Sequence, residues 1–480
     1  MDGLRGLPDG SDGNETPARL SEDALSGLEP VGAAAEASGG ARSPGPKQFT
    51  LLLRGHINCS GSLTWAKPDE VAHLVEDQPG FALLVNHRLG RLGLLRPYSD
   101  GMATIEPFVL DVRPAVLEDL HDRLDRVVWP DQPDGGGWDY GTELAYMQGL
   151  VSHWRNHFDW RVAEERLNSY PQFRARIGED LIHFVHIRGS GGNRLALVLT
   201  HGWPSSFAEF WPVIPLLADD FDLVIPSLPG FGCSSPVTRR GPRRVYDTWA
   251  TLMGILGYDR FGACGSDIGA RVTSGLGRFH PDRVVGIHLS SVDLEWPDPL
   301  PGDLTEEELE YVRRCQAWER DEGGYAAIQS TRPQTLAYGL ADSPVGLAAW
   351  MVEKYRAWSD CRGDISTRFS MDELLTQVTL YWATGTINSA NRSYYEHRGG
   401  LNTPPLTPGS RIEAQAGIAM FPGEARLLVP RAFVERSYRI HRWTTPPRGG
   451  HYPAHEEPKL LADDIQAFFA SLPPLDQPGP

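Results

Sequence analysis

The chain has 480 residues, 41% of them hydrophobic and 22% charged, and its formal net charge is −17 at pH 7. This composition is typical of a globular protein and excludes a fibrous one, and the length allows one large domain with insertions or two domains. The negative charge argues against a nucleic-acid partner, because phosphate binding needs a basic face.

The N-terminal segment differs in composition from the rest of the chain. The stretch "DGSDGNETPARLSEDALSGLEPVGAAAEASGGARSPGP" is rich in Gly, Ala, Ser and Pro and lacks apolar periodicity. It predicts that residues 1–101 are disordered or poorly structured. No apolar run reaches the ~18 residues of a membrane span, and the start of the chain has no signal segment, so we expect no membrane anchor. One hypothesis is that the functional polypeptide begins at Met102.

Five cysteines are scattered along the chain, and their spacing matches neither a metal site nor a secreted disulfide framework: Cys59, Cys233, Cys264, Cys315 and Cys361. This use of cysteine predicts reduced thiols in a cytoplasmic protein without a bound metal.

Helical patterns come first in the ordered part of the sequence. In "RPAVLEDLHDRLDRVVWP" the apolar residues recur at helical spacing and the pattern stops at Pro130. A second helical stretch runs from Gly141 to the break at Tyr170 and Pro171, and "IHFVHIR" then predicts a strand.

Strands and helices alternate after this point. The run "LALVLT" is nearly all apolar, as expected for a strand covered on both faces, and "FDLVIPSL", "YDRFGACGS" and "RVVGIHLSS" predict further strands. Helical patterns lie between them in "SFAEFWPVIPLLAD", "VYDTWATLMGILG" and "GARVTSGLGRFHP". This alternation predicts a doubly wound, mostly parallel sheet. From Trp296 to Gly400 the pattern is helical and rich in Trp and Tyr, which predicts an inserted cap. The chain ends with a short strand, a loop and an amphipathic helix.

The stretch "GACGSDIGA", residues 262–270, lies between an apparent strand and an apparent helix. An α/β-hydrolase carries its nucleophile at such a turn, usually as the Ser of G-x-S-x-G, and here Asp267 occupies that position. Two alternatives stay open. Asp267 could cap the following helix, or Cys264 could be the nucleophile in a shifted register. The helical pattern that starts at Ile268 favours a turn at Asp267.

Two further positions complete this arrangement. "HGWP" closes a buried strand, so the backbone N–H groups of Trp203 and Ile268 could form an oxyanion hole, although the motif is also compatible with an ordinary turn. His451 follows two glycines and precedes the last helix, which fits the chain order nucleophile, acid, base. Taken alone, it would be interpreted as a solvated loop histidine.

From Ile105 to Leu472 the sequence resembles the microsomal-type epoxide hydrolases, which include juvenile-hormone and bacterial members. The resemblance rests on "PFVLDVRP", "HWRNHFDWRVAEERLNSYPQF", "THGWPSSFAEFWPVIPLL", "IPSLPGFGCSSP", "GSDIGA", "ADSPVGLAAW", "LYWATGTINSANRSYYE", "FPGE" and "RGGHYPAHEEP". It implies an α/β-hydrolase fold with an N-terminal helical meander at 102–190, a core at 191–295 and 401–480, and a helical cap at 296–400. It also implies that an epoxide and water give a vicinal diol through a covalent ester, without cofactor or metal.

The resemblance assigns the acid–base residues. Asp267 would be the nucleophile and His451 the general base, and Glu424 in "FPGE" would orient the histidine, with Asp293 in "SSVDLEW" as the runner-up. A carboxylate suits this chemistry because a serine would leave a stable ether, whereas an aspartate leaves an ester that water can cleave. Aspartate is also ionised at neutral pH and needs no activating base.

Cap tyrosines would protonate the epoxide oxygen. The family positions correspond to Tyr325 and Tyr394, and Tyr395 leaves a one-residue ambiguity in the second donor. The sequence departs from many relatives beside the nucleophile, where Ser266 and Ile268 replace Gly and Trp, so substrate preferences do not carry over.

The expected partners are a small-molecule epoxide and water, and a homo-oligomer stays open. One alternative function is haloalkane dehalogenation by the same aspartate, although Ile268 offers no side-chain donor for a halide. The other is a non-catalytic small-molecule-binding protein, which a missing triad residue would favour; none is missing.

Overall fold

A computed structural model describes residues 104–189, 194–238, 244–292, 300–398, 411–424 and 428–473, together with two antiparallel two-residue strands, His56–Ile57 and Leu63–Thr64. The chain divides into two compact units, Met1–Asp100 and Gly101–Pro480. Apart from those two strands, the predicted leader and Met102 lie outside the described residues.

Nine strands form one sheet in the described part of the second unit. They are β1 (Ile105–Phe108), β2 (Gln172–Ile177), β3 (Asp180–Ile187), β4 (Ala196–Thr200), β5 (Asp222–Pro226), β6 (Phe261–Gly265), β7 (Val284–Leu289), β8 (Ile412–Ala419) and β9 (Tyr438–Thr444). Their order is β9-β8-β7-β6-β4-β5-β3-β2-β1. Strands β4 to β9 are parallel, and β1 to β3 extend the sheet in antiparallel fashion. The mostly parallel, doubly wound sheet is confirmed.

The central parallel strands are buried on both faces. Every residue of β4 and β6 is buried. Along β4, Val198 packs into one hydrophobic core, and its neighbours Leu197 and Leu199 pack into the other. This alternation follows from the two-residue repeat of a strand, and it explains why these segments are apolar throughout.

Helices cover both faces and form the segment between β7 and β8. Those before this segment are α1 (Pro114–Leu124), α2 (Leu144–Asn156), α3 (Trp160–Leu167), α4 (Ile214–Leu217), α5 (Val245–Ile255) and α6 (Ile268–Phe279). Between β7 and β8 lie α7 (Glu306–Glu322), α8 (Gly324–Thr331), α9 (Pro333–Asp342), α10 (Pro344–Trp358), α11 (Met371–Thr384) and α12 (Ile387–Arg398). The last are α13 (Arg431–Glu435), α14 (Pro453–Glu456) and α15 (Pro458–Ala470). In the described part of the chain, no helix is long and apolar enough to cross a membrane.

One predicted helix is wrong. The segment "SFAEFWPVIPLLAD" forms only a 3₁₀ turn at Phe207–Phe210 and the single turn of α4. Pro212 and Pro215 explain the difference, because proline has no N–H for the helical ladder and a continuous helix would place both in its interior. The apolar side chains still reach the core, so hydrophobic spacing alone predicted too much helix.

Candidate active site

A sharp turn joins β6 to α6 and carries Asp267. This residue has φ 51° and ψ −124°, and residues other than glycine rarely adopt such a positive φ. The turn is closely packed. A Cβ at Gly269 would lie 1.9 Å from the carbonyl oxygen of Thr200, and a Cβ at Gly265 would lie 2.4 Å from that of Gly269. Glycine is therefore required on both sides of the turn, as the G-x-D-x-G pattern predicted.

Asp267 faces backbone donors of a neighbouring loop. Its Oδ1 accepts the Trp203 N–H at 2.9 Å, and the side chain makes no capping hydrogen bond to the N–H groups beyond Ile268 that a helix cap would bind. The helix-capping alternative is therefore wrong. The Ile268 N–H also bonds to this carboxylate. The structure thus brings both predicted oxyanion-hole residues to Asp267.

Cys264 lies inside β6 and not at the turn. It is buried, and burial raises the pKa of its thiol. A thiol held in its neutral form is a poor nucleophile. The structure therefore argues against the shifted register.

A chain of hydrogen-bonding groups leads away from Asp267. Nε2 of His451 lies 3.6 Å from Oδ2 of Asp267, and Nδ1–H of His451 donates to Oε1 of Glu424 at 2.8 Å. His451 and Glu424 are each 6% exposed. Glu424 follows β8, whereas the runner-up acid, Asp293, lies outside the described residues.

The charges of this group stabilise one another. Burial disfavours a charged imidazole, yet the carboxylates of Glu424 and Asp267 outweigh it and raise the pKa of His451 to about 10. Burial also disfavours a charged Asp267, yet His451 and the two backbone N–H groups lower the pKa of this carboxyl. At neutral pH the free site therefore holds an ionised aspartate beside an imidazolium.

The loop of His451 is held by a buried carboxylate that the sequence analysis missed. Glu456 accepts the N–H groups of Gly450 and Tyr452, each at 3.0 Å, and that of Asp360 at 2.8 Å. The first two residues flank His451, so Glu456 fixes the backbone on both sides of it. Nothing in "AHEEP" distinguishes this glutamate from an exposed one.

Aromatic side chains of the inserted helices surround Trp203. Its ring stacks on that of Tyr325, with centroids 5.2 Å apart and planes at 6°. It meets Tyr394 edge-on at 5.9 Å, whereas Tyr395 is 52% exposed. The indole N–H of Trp203 donates to Oδ1 of Asn391 at 3.0 Å, and both residues are fully buried. Asn391 is a second residue that sequence patterns missed, because its partner lies in a distant segment.

A metal site is not evident in the ranges that the structure describes. They contain no group of three or more His, Cys, Asp or Glu side chains that could hold an ion. The described cysteines, Cys233, Cys264, Cys315 and Cys361, form no disulfides.

Comparison with known proteins identifies the family. Residues 105–210 match the family model described as "Epoxide hydrolase N terminus", and residues 196–340 match that of the "alpha/beta hydrolase fold". A Stigmatella aurantiaca protein, provisionally named an epoxide hydrolase, is 40% identical over 382 residues, which cover 77% of this chain and 85% of that protein. Epoxide hydrolase 1 of Sus scrofa is 34% identical over 414 residues, 78% of this chain and 91% of its own length. The chain belongs to the epoxide hydrolase family.

The solved structures agree with this assignment. The epoxide hydrolase of Aspergillus niger superposes with a TM-score of 0.69 at 29% identity, over 77% of this chain and 97% of that chain. The predicted resemblance, the α/β-hydrolase fold and the hydrolase activity on epoxides are therefore confirmed. The epoxide hydrolase family also accounts for the expected substrates, an epoxide and water.

Proposed function

We propose that this epoxide hydrolase opens its substrate through a covalent ester to Asp267. The observation that carries the proposal is the pairing of Asp267 with two backbone donors on one side and His451 on the other. With Oδ1 held by the Trp203 N–H, Oδ2 attacks the epoxide carbon and Oδ1 becomes the ester carbonyl oxygen. The lowered pKa keeps the attacking carboxylate ionised without a base.

We propose Tyr325 and Tyr394 as the proton donors to the epoxide oxygen. Both pack against Trp203, whose backbone N–H contacts the nucleophile, and this proximity supports the assignment. The exposure of Tyr395 favours Tyr394 as the second donor. A phenol beside the ring oxygen polarises the C–O bond and protonates the alkoxide as it forms.

His451 is proposed as the base of the second step. Ester formation removes the negative charge of Asp267, and with it part of the interaction that raises the pKa of His451. The imidazole can then take a proton from water, while Glu424 stabilises the resulting imidazolium. The oxyanion that forms on Oδ1 faces the N–H of Trp203, and the N–H of Ile268 is the second proposed donor.

The domain boundaries are proposals of the same kind. Helices α7 to α12 support a cap at 296–400, and the parallel strands support a core at 191–295 and 401–480. We assign 102–190 to the N-terminal meander, whose strands β1 to β3 join the same sheet.

The dehalogenase alternative is less well supported. Dehalogenases hold the leaving halide with side-chain N–H donors. Here Ile268 has none, and the indole N–H of Trp203 is bound to Asn391. Halide release from an alkyl halide, measured beside diol formation from a styrene-type epoxide, distinguishes the two activities.

A single turnover in ¹⁸O-labelled water tests the ester mechanism. With enzyme in excess over a styrene-type epoxide, we expect unlabelled diol and one labelled oxygen in the peptide that contains Asp267. Water attacks the ester carbonyl in this mechanism, so its oxygen stays with the enzyme in the first turnover. Label in the first diol would instead mean direct attack of water on the epoxide and would overturn the proposal.

The tyrosine roles have a matched control. We expect Tyr325→Phe and Tyr394→Phe each to lower kcat for diol formation by about 10²-fold, because each removes one proton donor. Tyr395→Phe makes the same chemical change at an exposed position and should keep wild-type activity. A loss in Tyr395→Phe with normal activity in Tyr394→Phe would reverse the assignment.

A cytoplasmic location is also our proposal, supported by the scattered and odd-numbered cysteines. Fractionation of the producing cells tests it. Size-exclusion chromatography with light scattering decides whether the enzyme forms a homo-oligomer.

A further inference from the structure

A lysine lies buried beside the proposed proton donor. Lys354 of α10 is 7% exposed, and its Nζ lies 5.0 Å from the ring centroid of Tyr325. The same ammonium lies 5.6 Å from the ring of Trp358, one helical turn further along α10. Lysine is rarely buried to this degree, because removing its charge from water is costly. This position therefore calls for a reason beyond packing.

Two carboxylates partly offset the cost of burying this charge. Oε2 of Glu353 lies 2.6 Å from Nζ, and Oε2 of Glu322 lies 3.7 Å away. Their side chains are 26% and 39% exposed, against 8% for Lys354. Solvent screens the exposed carboxylates more than the buried ammonium. Positive charge therefore still acts on the aromatic rings that Nζ approaches.

Tyr325 connects this charge to the reaction. Its ring stacks on Trp203, whose backbone N–H donates to Asp267, and it also contacts Trp358 at a centroid distance of 5.0 Å. Trp358 in turn lies 5.1 Å from the ring of His451. Lys354 thus lies on the donor side of the site, beside the rings of Tyr325 and Trp358.

We propose that Lys354 is a positioning residue for epoxide ring opening, with its ammonium stabilising the anion that Tyr325 becomes when it gives up its proton. This inference rests on the proposed role of Tyr325. A positive charge near the ring favours phenolate over phenol, so it makes Tyr325 a stronger acid at the moment of transfer. The rate that it changes is that of the first chemical step, in which the tyrosinate forms.

The step balances in atoms and charge. Oδ2 of Asp267 forms a bond to the epoxide carbon, the carbon–oxygen bond breaks, and its electron pair goes to the epoxide oxygen. That oxygen takes the phenolic proton of Tyr325 and leaves a tyrosinate beside Lys354. In the second step water supplies two protons. One completes the released diol, and the other passes through His451 and restores Tyr325.

Lys354→Met and Lys354→Arg form the decisive pair of variants. Methionine keeps an unbranched apolar chain without the charge, and arginine keeps the charge. In single turnovers followed by quenched-flow mass spectrometry, we expect Lys354→Met to slow ester formation by about 10- to 100-fold and to leave ester hydrolysis unchanged. Lys354→Arg should restore most of the rate of ester formation.

Two results would overturn the inference. One is an unchanged rate of ester formation in Lys354→Met. The other is equal slowing of both steps together with a lower melting temperature, which would mean that the lysine serves packing alone. Glu353→Gln is the matched control. It removes a carboxylate that partly neutralises the Lys354 ammonium but leaves the ammonium in place, so it should not slow ester formation.

A double variant separates this inference from the proposed function. If Lys354 acts through Tyr325, Lys354→Met should add no further loss in a Tyr325→Phe background. Slow ester formation in Tyr325→Phe with a normal rate in Lys354→Met would refute the lysine role alone. A normal rate in Tyr325→Phe would instead refute the proposed proton donor.

Discussion

Asp267→Ala is expected to abolish diol formation, with kcat/KM lower by at least about 10⁴-fold, as for the loss of other covalent nucleophiles. Alanine removes the carboxylate proposed to form the ester, and the neighbouring thiol of Cys264 cannot replace it, because it is held neutral inside β6. Chromatographic measurement of diol from a styrene-type epoxide, with a long reaction time and high enzyme concentration, determines the remaining rate.

The control for this variant is Asp259→Ala, the same substitution at an exposed aspartate just before β6. It should keep wild-type activity, and circular dichroism should show that both variants fold. Substantial diol formation by folded Asp267→Ala would refute the ester mechanism, whatever the other variants do.

His451→Gln is expected to trap the ester. Glutamine cannot act as the base for water, so we expect steady-state turnover to fall by about 10²- to 10⁴-fold. Ester formation should persist, because Asp267 stays ionised through the N–H groups of Trp203 and Ile268. Intact-protein mass spectrometry should show one added epoxide per enzyme, located on the peptide that contains Asp267.

The double variant Asp267→Ala with His451→Gln provides the control, since it should carry no adduct. If His451→Gln loses turnover without accumulating ester, the histidine acts before or during ring opening and not as the base of the second step. Glu424→Gln should accumulate less ester than His451→Gln. It removes the carboxylate that stabilises the imidazolium, but the imidazole remains as a base for ester hydrolysis.

The proposed mechanism predicts a different pH dependence for each of the two steps in the wild-type enzyme. In the free enzyme the pKa of His451 is raised to about 10, so the histidine is protonated and Asp267 ionised at neutral pH. Ring opening uses this form and should vary little between about pH 6 and pH 9. Ester hydrolysis needs the neutral imidazole, so its rate should rise with pH up to the lower pKa of His451 in the ester. Single turnovers across this range measure both rates.

The sequence was most informative where function depends on local geometry. The turn at Asp267 needs glycines at fixed offsets, and the strand before it needs residues that can be buried on both faces. Both requirements are therefore visible in one short stretch of sequence. Chain order then selected His451 and the family resemblance selected Glu424, and the structure brings both together with Asp267. Their catalytic roles are what the variants above test.

Residues that act across long separations left no such pattern. Asn391 bonds a side chain 188 positions away, and nothing in a helix marks an asparagine for that contact. Glu456 and Lys354 look like ordinary surface charges in sequence, and only burial distinguishes them. The false helix at "SFAEFWPVIPLLAD" has a different cause, because its apolar spacing predicts a helix that Pro212 and Pro215 prevent.

The hydrogen bond between Trp203 and Asn391 has a consequence for changing the substrate range. It ties α12 to the loop that supplies a backbone donor to Asp267, and Tyr325 stacks on the same indole from α8. Remodelling these helices to admit a bulkier epoxide would therefore also shift the Trp203 N–H, the proposed donor to the oxyanion of ester cleavage. Mutant libraries that keep Asn391 and Tyr325 fixed should yield active variants more often than libraries that vary them.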